Sequence, residues 1–151
     1  MQDPFIKVRL HVEPSDMHDY SSETLWAESI GNDLYILKNT PLYAKGYGYL
    51  DTILAVSQWD DAIPTVKKVV RRSGHSTYWI IRYALTTEEQ FENYWKPLKD
   101  IGCTFEGMVE YYFAVDIPPE TDVETAYNLM KRGEEDRIWT FAEGFNARDG
   151  G

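Results

Sequence analysis

Apolar and polar residues alternate in five short runs along the first half of the chain. In the first run, 5–12, Ile6, Val8 and Leu10 are separated by polar neighbours, which is the period of a β-strand with one buried face. Similar β-rich runs follow at 23–30, 33–38, 52–57 and 65–72. Because five short strands cannot bury both faces as an open sheet, the pattern predicts a small curled barrel of the SH3 type.

Local signals refine this first half. The dipeptide of Gly31 and Asn32 tolerates positive φ and predicts a tight hairpin between the second and third strands. Residues 43–49 place two glycines between aromatic side chains, which favours a loop or a strongly bent strand. Residues 65–72 are rich in β-branched valine and favour a strand, but the spacing of the valines also fits a helix.

The second half alternates strands with helices. Strands are predicted at 77–85, 103–106, 109–117 and 137–143. Two amphipathic helices separate them, and each begins with a capping box, formed by Thr86 with Glu89 and by Thr121 with Glu124. The order βαββαβ is that of the ferredoxin-like split motif.

The ends of both helices carry breaking signals. Pro97 lacks a backbone N–H and predicts a kink or an end of the first helix near Trp95. Gly102 lies where a left-handed residue ends such a helix, and Gly133 is expected to stop the second helix.

The predicted fold class is therefore α+β. A small β-barrel lobe is expected at 1–74 and a ferredoxin-like lobe at 75–145, followed by a flexible tail at 146–151. With 151 residues, the two lobes are expected to form one compact unit.

The charge of the chain limits its partners. Its formal net charge is −10, which repels the phosphates of nucleic acids and the head groups of anionic membranes. The basic cluster at 67–72 is more typical of a guarded strand edge than of a nucleic-acid site. An acidic surface accelerates encounter with basic proteins, although acidity also serves solubility alone.

Cysteine usage and the first residues indicate a compartment. Cys103 is the single cysteine, so no internal disulfide can form, as suits a reducing cytosol. Residues 1–4 lack the features of a signal peptide, and no apolar run is long enough to span a membrane. A cytoplasmic location is expected.

The most enzyme-like stretch surrounds His75. This residue has the chemistry of a general base, with Ser73 or Ser76 as its nucleophile, and Asp51 would orient the ring. Neighbours in sequence rarely form such a triad, and no nucleophile-elbow pattern surrounds either serine. A polar turn, in which Gly74 supplies the positive φ, is the favoured interpretation.

Other chemical candidates are weaker. The three histidines lack metal-ligand spacing, and the acidic residues near His11 and His18 lack an EF-hand pattern, so no metal is expected. Cys103 follows a predicted helix C-terminus and is interpreted as a small buried core residue. Glu106 and Glu110 are interpreted as solvated strand carboxylates rather than as an acid–base pair. No cofactor and no catalytic residue are expected.

Aromatic and acidic side chains provide candidates for partner binding. Tyrosines and tryptophans are enriched at interface hot spots, but the same rings could plug the ends of a barrel. The candidate anchors are Tyr43, Tyr47, Tyr49 and Trp59, and the candidate acidic docking residues are Asp60, Asp61, Glu134, Glu135 and Asp136.

Several short motifs occur in a characteristic order along most of the chain. They are Glu23-Thr24-Leu25-Trp26-Ala27-Glu28, Asn39-Thr40-Pro41, Gly48-Tyr49-Leu50-Asp51, Arg72-Ser73-Gly74-His75-Ser76-Thr77, Gly102-Cys103-Thr104-Phe105-Glu106 and Ala114-Val115-Asp116-Ile117-Pro118. In these motifs the chain resembles a bacterial family defined as a domain of unknown function, DUF4265. The resemblance implies a small stand-alone bacterial protein and no particular activity.

These observations lead to one functional hypothesis and one alternative. The hypothesis is a binding protein of the immunity or inhibitor type, which is not an enzyme and neutralises a basic partner such as a toxin. The alternative is a small-molecule-binding module or enzyme whose pocket, lined by Asp51, His75 and Glu106, lies between the two lobes. A homodimer joined through a sheet edge or the open sheet face is a further expectation.

Overall fold

Five strands close into a barrel in the first half of the protein. In the computed structural model, which describes residues 5–14, 20–57, 63–109 and 111–149, they are β1 (Phe5–His11), β2 (Ser22–Gly31), β3 (Leu34–Leu37), β4 (Thr52–Val56) and β5 (Thr65–Arg71). Successive strands pair antiparallel, and a parallel contact between Arg9 and Thr65 closes the barrel. The five predicted strands are confirmed, and the helical alternative for 65–72 is wrong.

Alternating burial explains why these segments form a barrel. Val8 and Leu10 of β1 are completely buried, whereas Lys7 is exposed and Arg9 is half-buried. Burying each such side chain contributes roughly 1.5–3 kcal/mol. The tight hairpin lies one residue later than predicted, because Asn32 and Asp33 both take positive φ between β2 and β3. Residues 43–49 form turns rather than a strand.

The second half is a four-stranded antiparallel sheet with two helices. Its elements are β6 (Ser76–Arg82), α1 (Glu88–Asp100), β7 (Thr104–Val109), β8 (Tyr112–Ile117), α2 (Val123–Glu135) and β9 (Trp139–Phe145). The strand order is β7-β8-β6-β9. A mixed α+β architecture, with a closed barrel followed by a sheet and two helices, is therefore confirmed.

Both helices begin one residue later than the predicted caps. Thr87, not Thr86, caps α1, and its capping box uses Gln90. The Thr86 hydroxyl instead donates to the carbonyl of Ile138, which directly precedes the neighbouring strand β9. Asp122, not Thr121, caps α2 by accepting the N–H of Thr125. The Thr86 hydroxyl thus bonds to a residue that is distant in sequence, and no local sequence pattern could reveal this contact.

The predicted end of the first helix near Trp95 is wrong. Helix α1 continues through Pro97 to Asp100, because Trp95 and Leu98 on either side of the proline are buried in the same core. Tertiary packing thus outweighs the missing hydrogen bond. Gly102 does take the expected left-handed conformation, and its N–H binds the carbonyl of Lys99.

Gly133 does not stop α2 but lies buried inside it. The helix continues to Glu135, and the indole of Trp139 packs directly against Gly133. A β-carbon at this position would lie 2.4 Å from the ring. Because glycine has no side chain, α2 can approach β9 closely at this position. Gly133 therefore serves helix–sheet packing and does not end the helix.

The sheet separates two layers of core. One face, with Tyr78, Ile80 and Val115, packs under the helices. The opposite face, with Trp79, Tyr112 and Ala114, packs against the segment that connects β3 to β4. Neither helix of the described residues has the length and apolar character needed to span a bilayer.

The end of the described chain contacts the sheet. The N–H of Ala147 donates to the hydroxyl of Ser76, and Arg148 pairs with Asp122 at the start of α2. The flexibility of 146–151 and the division into two lobes remain predictions.

The close approach at Gly133 gives a testable consequence. In an open helix Gly→Ala stabilises by about 1 kcal/mol. Here Gly133→Ala should lower the free energy of unfolding by about 1–3 kcal/mol, because the methyl group forces the Trp139 indole to shift. Urea unfolding measures the change. Asn128→Ala on the exposed face of α2 is the control and should change stability by less than about 0.5 kcal/mol. A stabilised Gly133→Ala variant would contradict this packing.

Candidate functional site

The segment that connects β3 to β4, residues 38–51, lies between the barrel and the second sheet; we call it the connecting segment. Leu42 and Tyr43 pack on the sheet face that carries Trp79 and Tyr112. The indole Nε1–H of Trp79 donates to the carbonyl of Pro41 at 2.9 Å. The segment is thus held against the sheet by apolar contact and by a buried hydrogen bond.

A carboxylate from the barrel holds the middle of the connecting segment. Glu23 of β2 accepts the backbone N–H groups of Leu42, Tyr43 and Ala44 at 3.1, 2.9 and 2.6 Å. Three donors converging on one carboxylate satisfy backbone groups that no strand partner pairs. Glu23 therefore fixes the path of the segment from the barrel side.

A second carboxylate holds the same segment from the other sheet. Glu106 of β7 accepts the N–H of Thr40 at 3.1 Å and a longer contact of 3.4 Å from the Asn39 amide. The Asn39 carbonyl oxygen in turn accepts the N–H of Trp26 on β2 at 2.8 Å. Glu106 is thereby linked to the barrel through a single asparagine.

Asp51 closes the connecting segment. Its side chain is fully buried and accepts the N–H groups of Gly48 and Ser73, each at 2.8 Å. Arg72 donates to the same carboxylate at 3.1 Å and to the carbonyl of Gly46. All these donors belong to the turn and its neighbours, so Asp51 organises backbone rather than facing a cavity.

His75 pairs with a residue that the sequence interpretation did not select. Its Nδ1 lies 2.8 Å from Oδ1 of Asp116 on β8, and both side chains are largely buried. Burial raises the pKa of Asp116, whereas the neighbouring His75 acts in the opposite direction. The imidazole and Tyr49 rings lie nearly perpendicular, with 5.3 Å between their centroids.

The serines beside His75 are engaged elsewhere. The Ser73 hydroxyl donates to the carbonyl of Tyr49 and accepts the N–H of His75. The Ser76 hydroxyl accepts the N–H of Ala147. Only the contact between Ser73 and His75 is local to the turn, whereas the other two reach residues distant in sequence. Gly74 has the expected positive φ.

A groove of about 510 Å³ opens between the barrel, the connecting segment and β7; we call it the junction groove. Its lining consists of Tyr20, Ser22, Glu23, Thr24, Leu25, Asn39, Thr40, Leu42, Tyr43, Glu106 and Gly107. Among the described residues, this lining includes two carboxylates and no lysine, arginine or histidine. The rings of Tyr20 and Tyr43 lie 4.8 Å apart. The groove is therefore both aromatic and negatively charged.

The structure brings together residues from both predicted sets. Tyr43, a candidate anchor, and Glu106, a candidate pocket residue, line the junction groove together. Asp51 and His75 do not line it. The predicted set of Asp51, His75 and Glu106 is thus divided between the groove and two separate hydrogen-bonded clusters.

The remaining candidates lie elsewhere. Tyr47 packs partly against the barrel core, and Tyr49 contacts His75. Trp59, Asp60 and Asp61 lie outside the described residues, as do His18 and Glu110. Glu134, Glu135 and Asp136 are exposed at the end of α2, where Asp136 accepts the hydroxyl of Tyr94. Their role in partner binding remains a prediction.

Two site residues were missed for different reasons. Asp116 is the single acid within the apolar run 113–117, and a carboxylate on a buried strand requires a partner. That signal was available in the sequence. Glu23 binds residues 19 to 21 positions later, and no local pattern connects them.

The described residues show neither a cluster of metal ligands nor a reactive thiol. The described residues hold no group of three or more potential metal ligands. Cys103 is buried at the start of β7, and burial raises the pKa of its thiol to about 12.

The triple contact of Glu23 predicts a stability effect. Glu23→Gln should lower the free energy of unfolding by roughly 1–3 kcal/mol, because the amide nitrogen replaces one acceptor and leaves a backbone N–H unpaired. Urea unfolding measures this loss. Glu28→Gln, which weakens only a partly exposed pair with Lys38, should cost less than about 1 kcal/mol. Equal losses in the two variants would show that Glu23 does not hold the segment.

The buried thiol predicts slow labelling. At pH 8 the folded protein should react with a disulfide reagent at least about a hundredfold more slowly than the urea-unfolded chain, since little thiolate forms when the pKa is near 12. Absorbance of the released thiolate follows the reaction. Rapid labelling of folded protein would contradict the core assignment.

The comparisons with known proteins agree with this description. The chain has 17% identity to a hypothetical protein from Neisseria gonorrhoeae whose crystal structure is known, and the TM-score is 0.75. The similarity covers 93% of this chain and 95% of the other, and it concerns the fold alone. No curated protein matches the chain. Residues 23–141 match the family described as a domain of unknown function, DUF4265. The protein therefore belongs to the DUF4265 family.

Proposed function

We propose that the protein is a cytoplasmic binding protein of the immunity or inhibitor type, which neutralises a basic protein partner. The junction groove is the proposed docking site. The observation that carries this proposal is its lining, which in the part of the chain that the structure describes combines two carboxylates with two packed tyrosine rings and includes no basic side chain. The formal net charge of −10 also attracts a basic protein over longer distances, before it reaches the groove.

The groove suits binding better than catalysis. The oxygens of Glu23 and Glu106 already accept hydrogen bonds from backbone N–H groups and, at one Glu106 oxygen, from the Asn39 amide. A carboxylate held in this way attracts a cation and is poorly placed to exchange a proton with a substrate. The aromatic rings supply apolar contact area, which is the usual source of affinity at an interface.

The alternative, a small-molecule-binding module or enzyme, has one observation in its favour. A volume of about 510 Å³ lies within the range of roughly 300–1,000 Å³ that ligand sites occupy. The engagement of both carboxylates favours the protein partner.

Two finer assignments belong to the same proposal. We propose that the barrel is of the SH3 type and that the second half is ferredoxin-like. The strand order β7-β8-β6-β9, with two crossover helices on one face, supports the latter. A single buried cysteine suits a cytoplasmic location.

The test uses two serines of β2 that differ in position alone. Ser22 lines the groove and Ser29 does not, and both are exposed. The probes are the purified basic proteins encoded beside this gene, titrated by calorimetry. The wild-type protein should bind one of them with a Kd below about 1 μM, more weakly at high salt. Ser22→Arg should weaken binding at least about tenfold, whereas Ser29→Arg should change it less than about twofold.

Both variants alter the net charge equally, so a difference between them reports the groove rather than long-range attraction. Equal weakening by both variants would exclude the groove as the docking site. If none of the basic neighbouring products binds more tightly than about 1 μM, the proposed function is wrong.

A further inference from the structure

Strand β7 lies at the edge of the second sheet. In the order β7-β8-β6-β9 it pairs only with β8 among the described residues. Residues 104–107 are exposed, and Glu106 and Gly107 line the junction groove. The unpaired side of β7 thus opens on the same groove that carries the negative charge.

Strand β2 also presents an unpaired stretch to this groove. Its pairing with β1 runs from Ser22 to Glu28, but β3 pairs with it only from Ala27 onward. The pairing on that side ends at Trp26, whose N–H is taken by the Asn39 side chain. Within the described chain, residues 22–25 therefore have a strand on one side and the groove on the other.

From these two edges we propose that the junction groove binds an extended segment of the partner protein, which adds to β7 as a fifth strand of the sheet. This inference rests on the proposed function and specifies the form of the ligand. Backbone hydrogen bonds to 104–107 would hold a strand of about four residues, which spans roughly 13 Å. Backbone pairing of this kind tolerates many sequences in the added strand, so its side chains determine which sequences bind best.

The two faces of β7 define that preference. Glu106 points to the barrel side, where it contacts Thr40, whereas Phe105 points to the helix side and packs on Phe91 and Trp95. Phe105 keeps a partly exposed ring at the edge. Because side chains alternate along a strand, the added segment should place cationic residues beside Glu106 and apolar residues beside Phe105.

Charge selects a basic partner over a second copy of this chain. Antiparallel pairing of two β7 edges would bring the Glu106 side chains of both copies into one small region. Each copy also carries a formal net charge of −10. Like charges facing each other at a sheet edge oppose association. A cationic strand is instead attracted both by Glu106 and by the net negative charge of the chain.

The probe is a synthetic peptide of about eight alternating lysine and valine residues with blocked ends, titrated into the isotope-labelled full chain and followed by NMR. We expect saturable shifts in the amides of 104–107 and 22–25. Hydrogen exchange of the outward-facing β7 amides should slow at least about tenfold. A peptide with glutamate in place of lysine should not bind.

A backbone control separates strand addition from simple charge attraction. The same peptide with methylated backbone nitrogens keeps every side chain but donates no hydrogen bond, and it should bind at least about tenfold more weakly. Ser22→Arg should reduce binding of the unmodified peptide, and Ser29→Arg should not.

Three results would overturn the inference. They are equal binding of the methylated peptide, no binding of the unmodified peptide, and a free protein that is already a dimer with protected β7 amides in light scattering and exchange. None of them decides the proposed function, which is tested separately by whether a basic protein partner binds with a Kd below about 1 μM.

Discussion

The structure depends on carboxylates that bind the backbone of one connecting segment. Residues 38–51 leave the barrel and return to it across the face of the second sheet, and the N–H groups at positions 40, 42, 43 and 44 donate to carboxylates instead of to a strand. Glu23 from the barrel and Glu106 from the sheet supply acceptors from opposite sides. Asp51 closes the turn and joins it to the start of the second half through Ser73. Because buried N–H groups require partners, these contacts couple the two halves.

The same contacts create the acidic character of the junction groove. Backbone N–H donors fix the carboxylates of Glu23 and Glu106 at the wall of the groove. Negative charge is therefore placed at the groove for a structural reason and becomes available to a cationic ligand without further rearrangement. Tyr43 combines the same two roles, since it lines the groove and also packs on the sheet. Stability and recognition share residues in this region.

The sequence predicted the elements better than their connections. Strands such as β1 follow from alternating burial, which is a local property, and so the barrel could be anticipated. The caps at Thr86 and Thr121 were each misplaced by one residue, and the first helix did not end near Trp95. At Thr86 and Pro97, contacts with distant parts of the chain decided the outcome. The site was harder still, because Glu23 and Asp116 act on residues far away in sequence.

The way in which the connecting segment is held affects how its sequence can drift. The acceptors bind main-chain N–H groups at positions 40, 42, 43, 44 and 48, which every residue type except proline provides. Pro41 occupies a position between these donors and contributes only its carbonyl. Substitutions at exposed positions should therefore be tolerated, but an insertion or deletion would move every donor out of reach. Relatives of this protein should conserve the length of the segment more strictly than its residues.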